Sequence, residues 1–479
     1  MLKMDVEKNY NARNVALSVL CRVLEDKEPS HTVIAGELDK YPQMTKEDRA
    51  FVKQLCMGTI EWVITLDDII NRYSKTKTEK QKPVIRNLLR LSAYQILFLN
   101  VPDSAACNEA VKLARKRKFE GLTGFVNGVL RKISAEKSEI MKTYFKEVPD
   151  TGSTEQDDND PSVRYSLPEW IIKYYTDTFG PEKAISAFEY FLKEAGLNIR
   201  CNISRITPGE LAGRLKKRGI NVIPDPYSNK CMKISGIDRL SELPEFNQGM
   251  FCVQDLSSVL AGENPANELL KSYTADKVSI LNNYTDKSLS RSETDKSKNN
   301  YILNILDLCA APGGKTLNLA DRLKAEGFEA HFTACDISES KLKKIRENIK
   351  RCGFDNIDCM INDATCFRDE FVEKFDILIA DLPCSGLGVI GRKPDIKLNA
   401  SLEKIDELAA LQKTILENAV RYVKKGGFLL FSTCTIGHVE NEDNLRFIEE
   451  HGFKRINSVQ LCPGEYDCDG FYYSLSVRE

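Results

Sequence analysis

Between residues 10 and 140 apolar side chains recur every three or four positions, and no stretch alternates apolar with polar as a half-buried strand would. In 83–99 they fall at Ile85, Leu88, Leu89, Ala93, Ile96 and Leu97, one face of a helix. The spacing returns in 108–118 and 125–133, with breaks at Pro102 and 121–124. This predicts an all-α domain over 1–145. Residues 148–162 (VPDTGSTEQDDNDPS) hold acids and turn formers without an apolar run, which predicts a linker over 146–163. Helical and strand periods then mix. Helices are expected at 168–179, 184–193 and 208–218, and strands at 197–202, 221–224 and 230–234, giving a small α+β domain over 164–250.

The stretch 262–300, around NNYTDKSLSRSETDKSKNN, is rich in Asn, Ser, Lys and Asp and predicts a mobile surface insertion. After it, short apolar runs alternate with amphipathic segments to the end of the chain, the pattern of a parallel sheet with helical crossovers. Strands are expected at 301–306, 330–335, 358–361, 375–380, 428–433 and 471–477. The third domain, 251–479, therefore reads as α/β and Rossmann-like.

Composition narrows the class. Of 479 residues 42% are hydrophobic and 29% charged, as in a soluble globular protein. No run approaches the roughly 18 apolar residues of a membrane span, and the opening MLKMDVEKNY lacks the apolar core of a secretory signal. A cytoplasmic protein, expected to be a monomer, follows. The 15 cysteines include no C-x₂-C pair and there are only 4 histidines, so no metal site is expected. Cys21, Cys56, Cys107, Cys201 and Cys252 read as small core residues. The net charge of −2 hides a surplus of basic over acidic residues in 1–140. A basic helical module could hold a polyanion, and Arg115-Lys116-Arg117-Lys118 is either an RNA contact or a solvated helix end.

Two segments carry candidate chemistry. Asp381-Leu382-Pro383-Cys384 and Ser432-Thr433-Cys434-Thr435 each place a thiol just past an apolar strand, at the sheet edge where open α/β sheets bind ligands. Upstream, the first strand runs into Asp307-Leu308-Cys309-Ala310-Ala311-Pro312-Gly313-Gly314-Lys315-Thr316. The glycines let backbone amides approach a ligand at a helix start. The spacing is neither a P-loop nor the dinucleotide G-x-G-x-x-G. Asp336 ends the second strand, where an acid can accept both hydroxyls of a ribose. Asp363 ends the third, within reach of an adenine edge. A nucleoside with a carboxylate tail and a sulfonium suits this set, which points to S-adenosyl-L-methionine.

DLCAAPGGKT, Asp336, NDAT at 362–365, DLPCSGLGVIGRKPDI at 381–396 and STCTIGHVENE at 432–442 closely resemble the RNA cytosine-C5 methyltransferases. Gln254-Asp255-Leu256-Ser257-Ser258 matches a further segment of that family. DRAFVKQLCMGTIEW, RNLLRLSAYQILF, VPDSAACNEAVKLA and FVNGVLRKI resemble the NusB fold of antitermination factors. A NusB-like domain ahead of this catalytic domain is the layout of the bacterial small-subunit (16S) ribosomal RNA cytosine-C5 methyltransferases. The resemblance covers nearly the whole chain apart from the two polar stretches. Leu382, Thr435 and the long 262–300 stretch depart from the pattern without removing a chemical group.

The resemblance implies an RNA-recognition-like fold for the small α+β domain, and C5 methylation of a single-stranded or loop cytosine in ribosomal RNA, possible before subunit assembly. Cytosine C5 is a poor nucleophile until a thiolate adds to C6, and charge then develops at N3, where a carboxyl such as Asp381 can hydrogen-bond. The residues alone leave open which thiol attacks. In the resembling family the Thr-Cys cysteine, here Cys434, is the nucleophile and the Pro-Cys cysteine, here Cys384, assists release. Residues 309–315 with Asp336, Asp363 and Asp381 are the cofactor candidates, and Arg392 and Lys393 are candidates for phosphate contact. A transfer RNA cytosine as substrate, or a non-catalytic NusB-like RNA-binding factor, are the alternatives.

Overall fold

A computed structural model describes residues 10–145, 160–193, 196–237, 239–275 and 301–479. Contacts divide the chain into two units, Met1–Lys193 with Ile390–Asn399, and Glu194–Val389 with Ala400–Glu479. The expected linker up to residue 159 and the expected insertion beyond 275 lie outside the described residues.

The first unit is helical. Ala12–Leu24, Ser30–Asp39, Lys46–Glu61, Val63–Tyr73, Pro83–Phe98, Asp103–Lys116, Thr123–Ala135 and Lys137–Tyr144 turn their apolar stripes onto one core that includes Leu20, Val52, Ile69, Leu88, Leu113 and Leu130. Asn11 and Thr45 cap two of these helices by accepting from the N–H groups of Asn14 and Asp48. The helix expected at 108–118 starts earlier, at Asp103, because Pro102 is its N-cap and not a gap between helices. Helices Glu169–Phe179 and Pro181–Phe191 belong to the same unit, with the rings of Phe188 and Phe191 5.5 and 5.7 Å from that of Tyr175.

A segment from far along the sequence completes this unit. The Asp395 carboxylate accepts from the backbone N–H of Ser30 at 3.1 Å and from its hydroxyl at 2.5 Å. Lys397 donates to the Glu61 carbonyl at 2.5 Å, and Leu398 packs against the helical core. Burial pushes Lys397 down to about 7 and Glu61 up to about 7. Arg392 is half-buried and Lys393 exposed in the same segment.

The second unit holds two sheets. In the smaller, β1 (Leu197–Cys201), β2 (Asn221–Pro224), β3 (Cys231–Ser235) and β4 (Phe251–Val253) are antiparallel in the order β2-β3-β1-β4. Helix Pro208–Lys217 follows β1 and opens on a capping box between Thr207 and Glu210. With Pro244–Asn247 before β4, this is the βαββαβ order of an RNA-recognition-like domain.

The larger sheet contains β5 (Leu303–Asp307), β6 (Ala330–Asp336), β7 (Ile357–Ile361), β8 (Phe375–Asp381), β9 (Val423–Thr433), β10 (Phe453–Leu461) and β11 (Phe471–Arg478), in the order β10-β11-β9-β8-β5-β6-β7. Strands β5 to β9 are parallel, and β11 runs antiparallel to both β9 and β10. Ile305, Ile377, Ile379 and Leu430 pack on one face with Leu317 and Ile345, while Leu306, Leu378, Ala380 and Phe431 pack on the other with Leu416 and Ala419. Both faces are covered, which is why the central strands carry the unbroken apolar runs 377–380 and 428–431. Residues 262–275 are not a surface loop as expected: helix Leu256–Ala275 runs through them, its first turns anchored in the core by Leu256, Val259 and Ala261.

Candidate active site

The parallel register brings several polar strand ends to one edge. Asp307 stands opposite Ala334 of β6 and Ile379 of β8, and Asp381 stands opposite Ser432 of β9. Because β5 lies between β6 and β8, the loop after it opens at the switch point of the sheet. That loop is bound to β6: Ala310 N–H donates to the Cys335 carbonyl at 2.8 Å, and Ala311 N–H donates to Asp336 at 3.0 Å. Gly313 has φ of 101°, a conformation that favours glycine, and it caps helix Gly314–Ala325. Gly314 has no such φ.

The acids differ in setting. Asp336 is buried and its other oxygen accepts from Ile337 N–H at 2.8 Å and Lys341 at 3.0 Å. Asp307 accepts from the Thr316 hydroxyl at 2.5 Å, while its buried Oδ1 has no partner among the described residues. Burial pushes its carboxyl up to about 7. Asp381 receives Lys315 at 2.6 Å and the Ser432 hydroxyl at 2.8 Å. The Lys315 ammonium also lies 4.7 Å from the centre of the Phe471 ring.

A cavity of about 210 Å³ lies here. It is lined by Cys309, Ala310, Ala311, Pro312, Gly314, Lys315 and Asp381 from the sequence-derived set, and also by Asp307, Val253, Gln254, Asp255 and Ser258. Gly313 and Asp336 shape the loop without lining the cavity. Asp363 is placed differently from expectation. It lies past the end of β7, exposed, and accepts from the Thr365 N–H and hydroxyl, which hold its carboxyl below the usual range. Gln254 and Ser258 are additions that periodicity could not supply, since β4 is only three residues long. Fully buried Arg200 sets Gln254, donating to its Oε1 at 2.9 Å while pairing with Asp321 at 3.2 Å.

The two motif cysteines meet. Cys384 and Cys434 have their sulfurs 3.3 Å apart, both half-buried. Leu382 N–H donates to the Ser432 carbonyl at 3.0 Å and Gly388 N–H to the Cys434 carbonyl at 3.2 Å, so the loops after β8 and β9 are bonded to each other. The hydrogen bond with Cys434, burial and the nearby charge of Glu440 push the Cys384 thiol well above its ordinary range, leaving it protonated at neutral pH. Half-buried Cys309 is likewise pushed up, chiefly by desolvation.

Residues 295–476 match the family model described as 16S rRNA methyltransferase RsmB/F, and residues 10–135 match the NusB family. The chain is 30% identical over 486 residues to the probable ribosomal RNA small subunit methyltransferase B of Bacillus subtilis, a match covering 97% of this chain and 98% of that one. It is 28% identical over 476 residues to the ribosomal RNA small subunit methyltransferase B of Proteus mirabilis, covering 98% and 99%. The crystal structure of PH0851 shares the fold, with a TM-score of 0.73 at 21% identity over 98% of this chain and 99% of that one.

Proposed function

Because this chain belongs to the family of ribosomal RNA small subunit methyltransferase B, with a NusB-family domain ahead of its methyltransferase domain, we propose that it methylates C5 of a cytosine in 16S ribosomal RNA through a covalent thiol adduct at C6. It is an RNA methyltransferase whose methyl donor is S-adenosylmethionine, which supplies an electrophilic methyl group on sulfur. The residues present suit that donor: a buried carboxylate oxygen of Asp307 without a partner among the described residues, a Gly-rich turn at a helix start, and Asp336 tied to the turn. Residues 309–315, Asp336, Asp363, Asp381 and Gln254 would hold it.

The observation that carries the reading is the pair of sulfurs 3.3 Å apart at the sheet edge that bears Asp381. Cys434 adds through its thiolate to C6, forming the C–S bond and placing electron density on C5. Asp381, carrying a proton in place of its ion pair with Lys315, donates a hydrogen bond to N3, where charge accumulates, while the Ser432 hydroxyl keeps its carboxyl oriented. Once C5 is methylated, its proton passes to solvent, the C5–C6 double bond re-forms and the C–S bond returns its electron pair to Cys434, whose sulfur the Cys384 thiol can protonate. Cys384, held as a thiol beside Cys434, assists that release. The target cytosine is single-stranded or in a loop, since C6 must leave its stack to meet the sulfur, and the protein works as a cytoplasmic monomer. Mapping 5-methylcytosine in ribosomal and transfer RNA from cells with and without the gene tests this. A site lost from 16S RNA supports the reading, one lost from transfer RNA alone redirects it, and no lost site overturns it.

Two further outcomes are expected. Asp336→Ala weakens S-adenosylmethionine binding by about 1–3 kcal/mol, the scale of leaving hydroxyls unpaired; unchanged affinity in calorimetry would remove Asp336 from ribose recognition. On the first unit, Arg115, Lys116 and Lys118 are exposed, whereas Arg117 turns inward to Asn14 and Ser18. If the three grip RNA, changing them to Gln lowers the slope of log affinity against log salt by about 2 with cofactor binding intact. An unaltered slope places the RNA grip elsewhere.

A further inference from the structure

The two thiols arrive on separate loops, and both loops converge on one buried acid that does not line the cofactor cavity. Glu440 is 0% exposed. Its Oε1 accepts from Ser385 N–H at 2.9 Å and from Gln412 Nε2 at 3.1 Å, and its Oε2 accepts from the Ser385 hydroxyl at 2.5 Å. Gln412 Nε2 also donates to the Pro383 carbonyl at 2.8 Å, so the carboxylate holds the residues on both sides of Cys384. The Ser385 and Thr435 hydroxyl oxygens are 2.6 Å apart. With the Ser385 proton committed to Glu440, the Thr435 hydroxyl is the donor, which links the residue after Cys434 to the same acid. Asn444 donates to the Gln412 side-chain oxygen at 2.7 Å and fixes which way that amide faces.

A buried carboxylate is a costly way to fill a core, and apolar side chains of similar volume do so more cheaply. Here its charge is matched by donors from Ser385, the residue after Cys384, and from Gln412, whose amide also holds the Pro383 carbonyl just before Cys384. We infer that Glu440 is a positioning residue for methyl transfer, fixing Cys384 against Cys434 by clasping Ser385 directly and Thr435 through it. This rests on the reading of the two cysteines as reacting groups. The same charge opposes ionisation of Cys384.

The test uses the full-length protein with small-subunit RNA and labelled S-adenosylmethionine, and compares Glu440→Ala with Glu440→Gln. Gln keeps one acceptor oxygen for Ser385 N–H and Gln412, and its amide can donate to a re-oriented Ser385 hydroxyl. Glu440→Ala is expected to lower kcat about 100-fold, the scale of a misplaced reacting group, with KM for RNA and cofactor affinity within about twofold. Glu440→Gln recovers most of that loss. An Ala variant with wild-type kcat overturns the inference, as does one that loses cofactor affinity in step with kcat, which is the mark of general loosening. Should Glu440→Ala fail to fold, Ser385→Ala removes the hydroxyl link alone. It is expected to lower kcat about 10-fold at unchanged cofactor affinity, and wild-type kcat there overturns the clasp. Cys434→Ser run alongside separates the two readings: if that variant is active the thiol mechanism has failed, whereas an inactive Cys434→Ser beside a fully active Glu440→Ala removes only the clasp.

Discussion

Cys434→Ser is expected to lower methyl transfer by at least about 10³-fold, as loss of a nucleophile does, and to leave no covalent RNA adduct. Cys384→Ser is expected to form the adduct and release it slowly, so that a denaturant-resistant protein–RNA species accumulates. The difference follows from the geometry. The two sulfurs lie 3.3 Å apart, so the Cys384 thiol is placed to protonate the departing Cys434 sulfur in the step that frees it. Attack and elimination are separate events, and removing the group that serves the second strands the product of the first. Denaturing gel electrophoresis with RNA and cofactor reads both outcomes. An adduct with Cys434→Ser that vanishes with Cys384→Ser reverses the roles, and full activity in both variants ends the thiol mechanism.

Gly388→Ala has the second-largest expected effect. A Cβ at Gly388 would lie 2.1 Å from the Gly470 carbonyl oxygen, 2.6 Å from its carbon and 2.9 Å from the Cys434 carbonyl oxygen. These are backbone atoms, and two hydrogen bonds lock them in place: Gly388 N–H to Cys434 and Gly470 N–H to the Gly388 carbonyl. No side chain can swing aside to make room. The turn after Cys384 must move from the end of β9, which separates the two sulfurs. The overpacking is expected to cost about 1–3 kcal/mol of stability and the displaced thiol about 100-fold in kcat. Thermal unfolding and methyl-transfer rates measure the two effects. A variant with wild-type values in both would mean that the two loops move together and that their spacing is not set at Gly388.

Much of this was legible in the residues, and the gaps have physical causes. The central parallel strands of the large sheet announce themselves because both faces are covered: residues 377–380 and 428–431 are apolar without interruption. Strand β10 did not. Its FKRINSVQL is half-exposed along most of its length at a sheet edge, and an edge strand pairing on one side has no need of an apolar pattern. The loop 309–315 was readable from its glycines and its position after a strand, whereas Gln254 and Ser258 were marked only by the resemblance of 254–258 to a family segment and not by any periodicity. They follow a three-residue strand, and Gln254 is oriented by Arg200, a charged residue buried within a strand that periodicity would assign to the surface. Asp363 shows what a strand-end reading leaves out: it lies two residues past β7, and a Thr two residues on offers its N–H and its hydroxyl to one carboxyl oxygen, closing a local turn. The clasp at Glu440 is invisible in one dimension, since Ser385, Gln412 and Thr435 come from three separate elements.

The helical first unit has a birth order that its sequence position conceals. Ser30 and Glu61 are bonded to Asp395 and Lys397, residues that leave the ribosome after most of the chain has been made. A domain nominally first in line therefore waits, its last hydrogen bonds unmade, until the strand bearing Asp381 has been synthesised. Released early, whether by a premature stop or by a protease cut between the two regions, the nascent helical unit would retain its core but lack its final element, and the cell's quality control would meet a surface that the finished protein never displays.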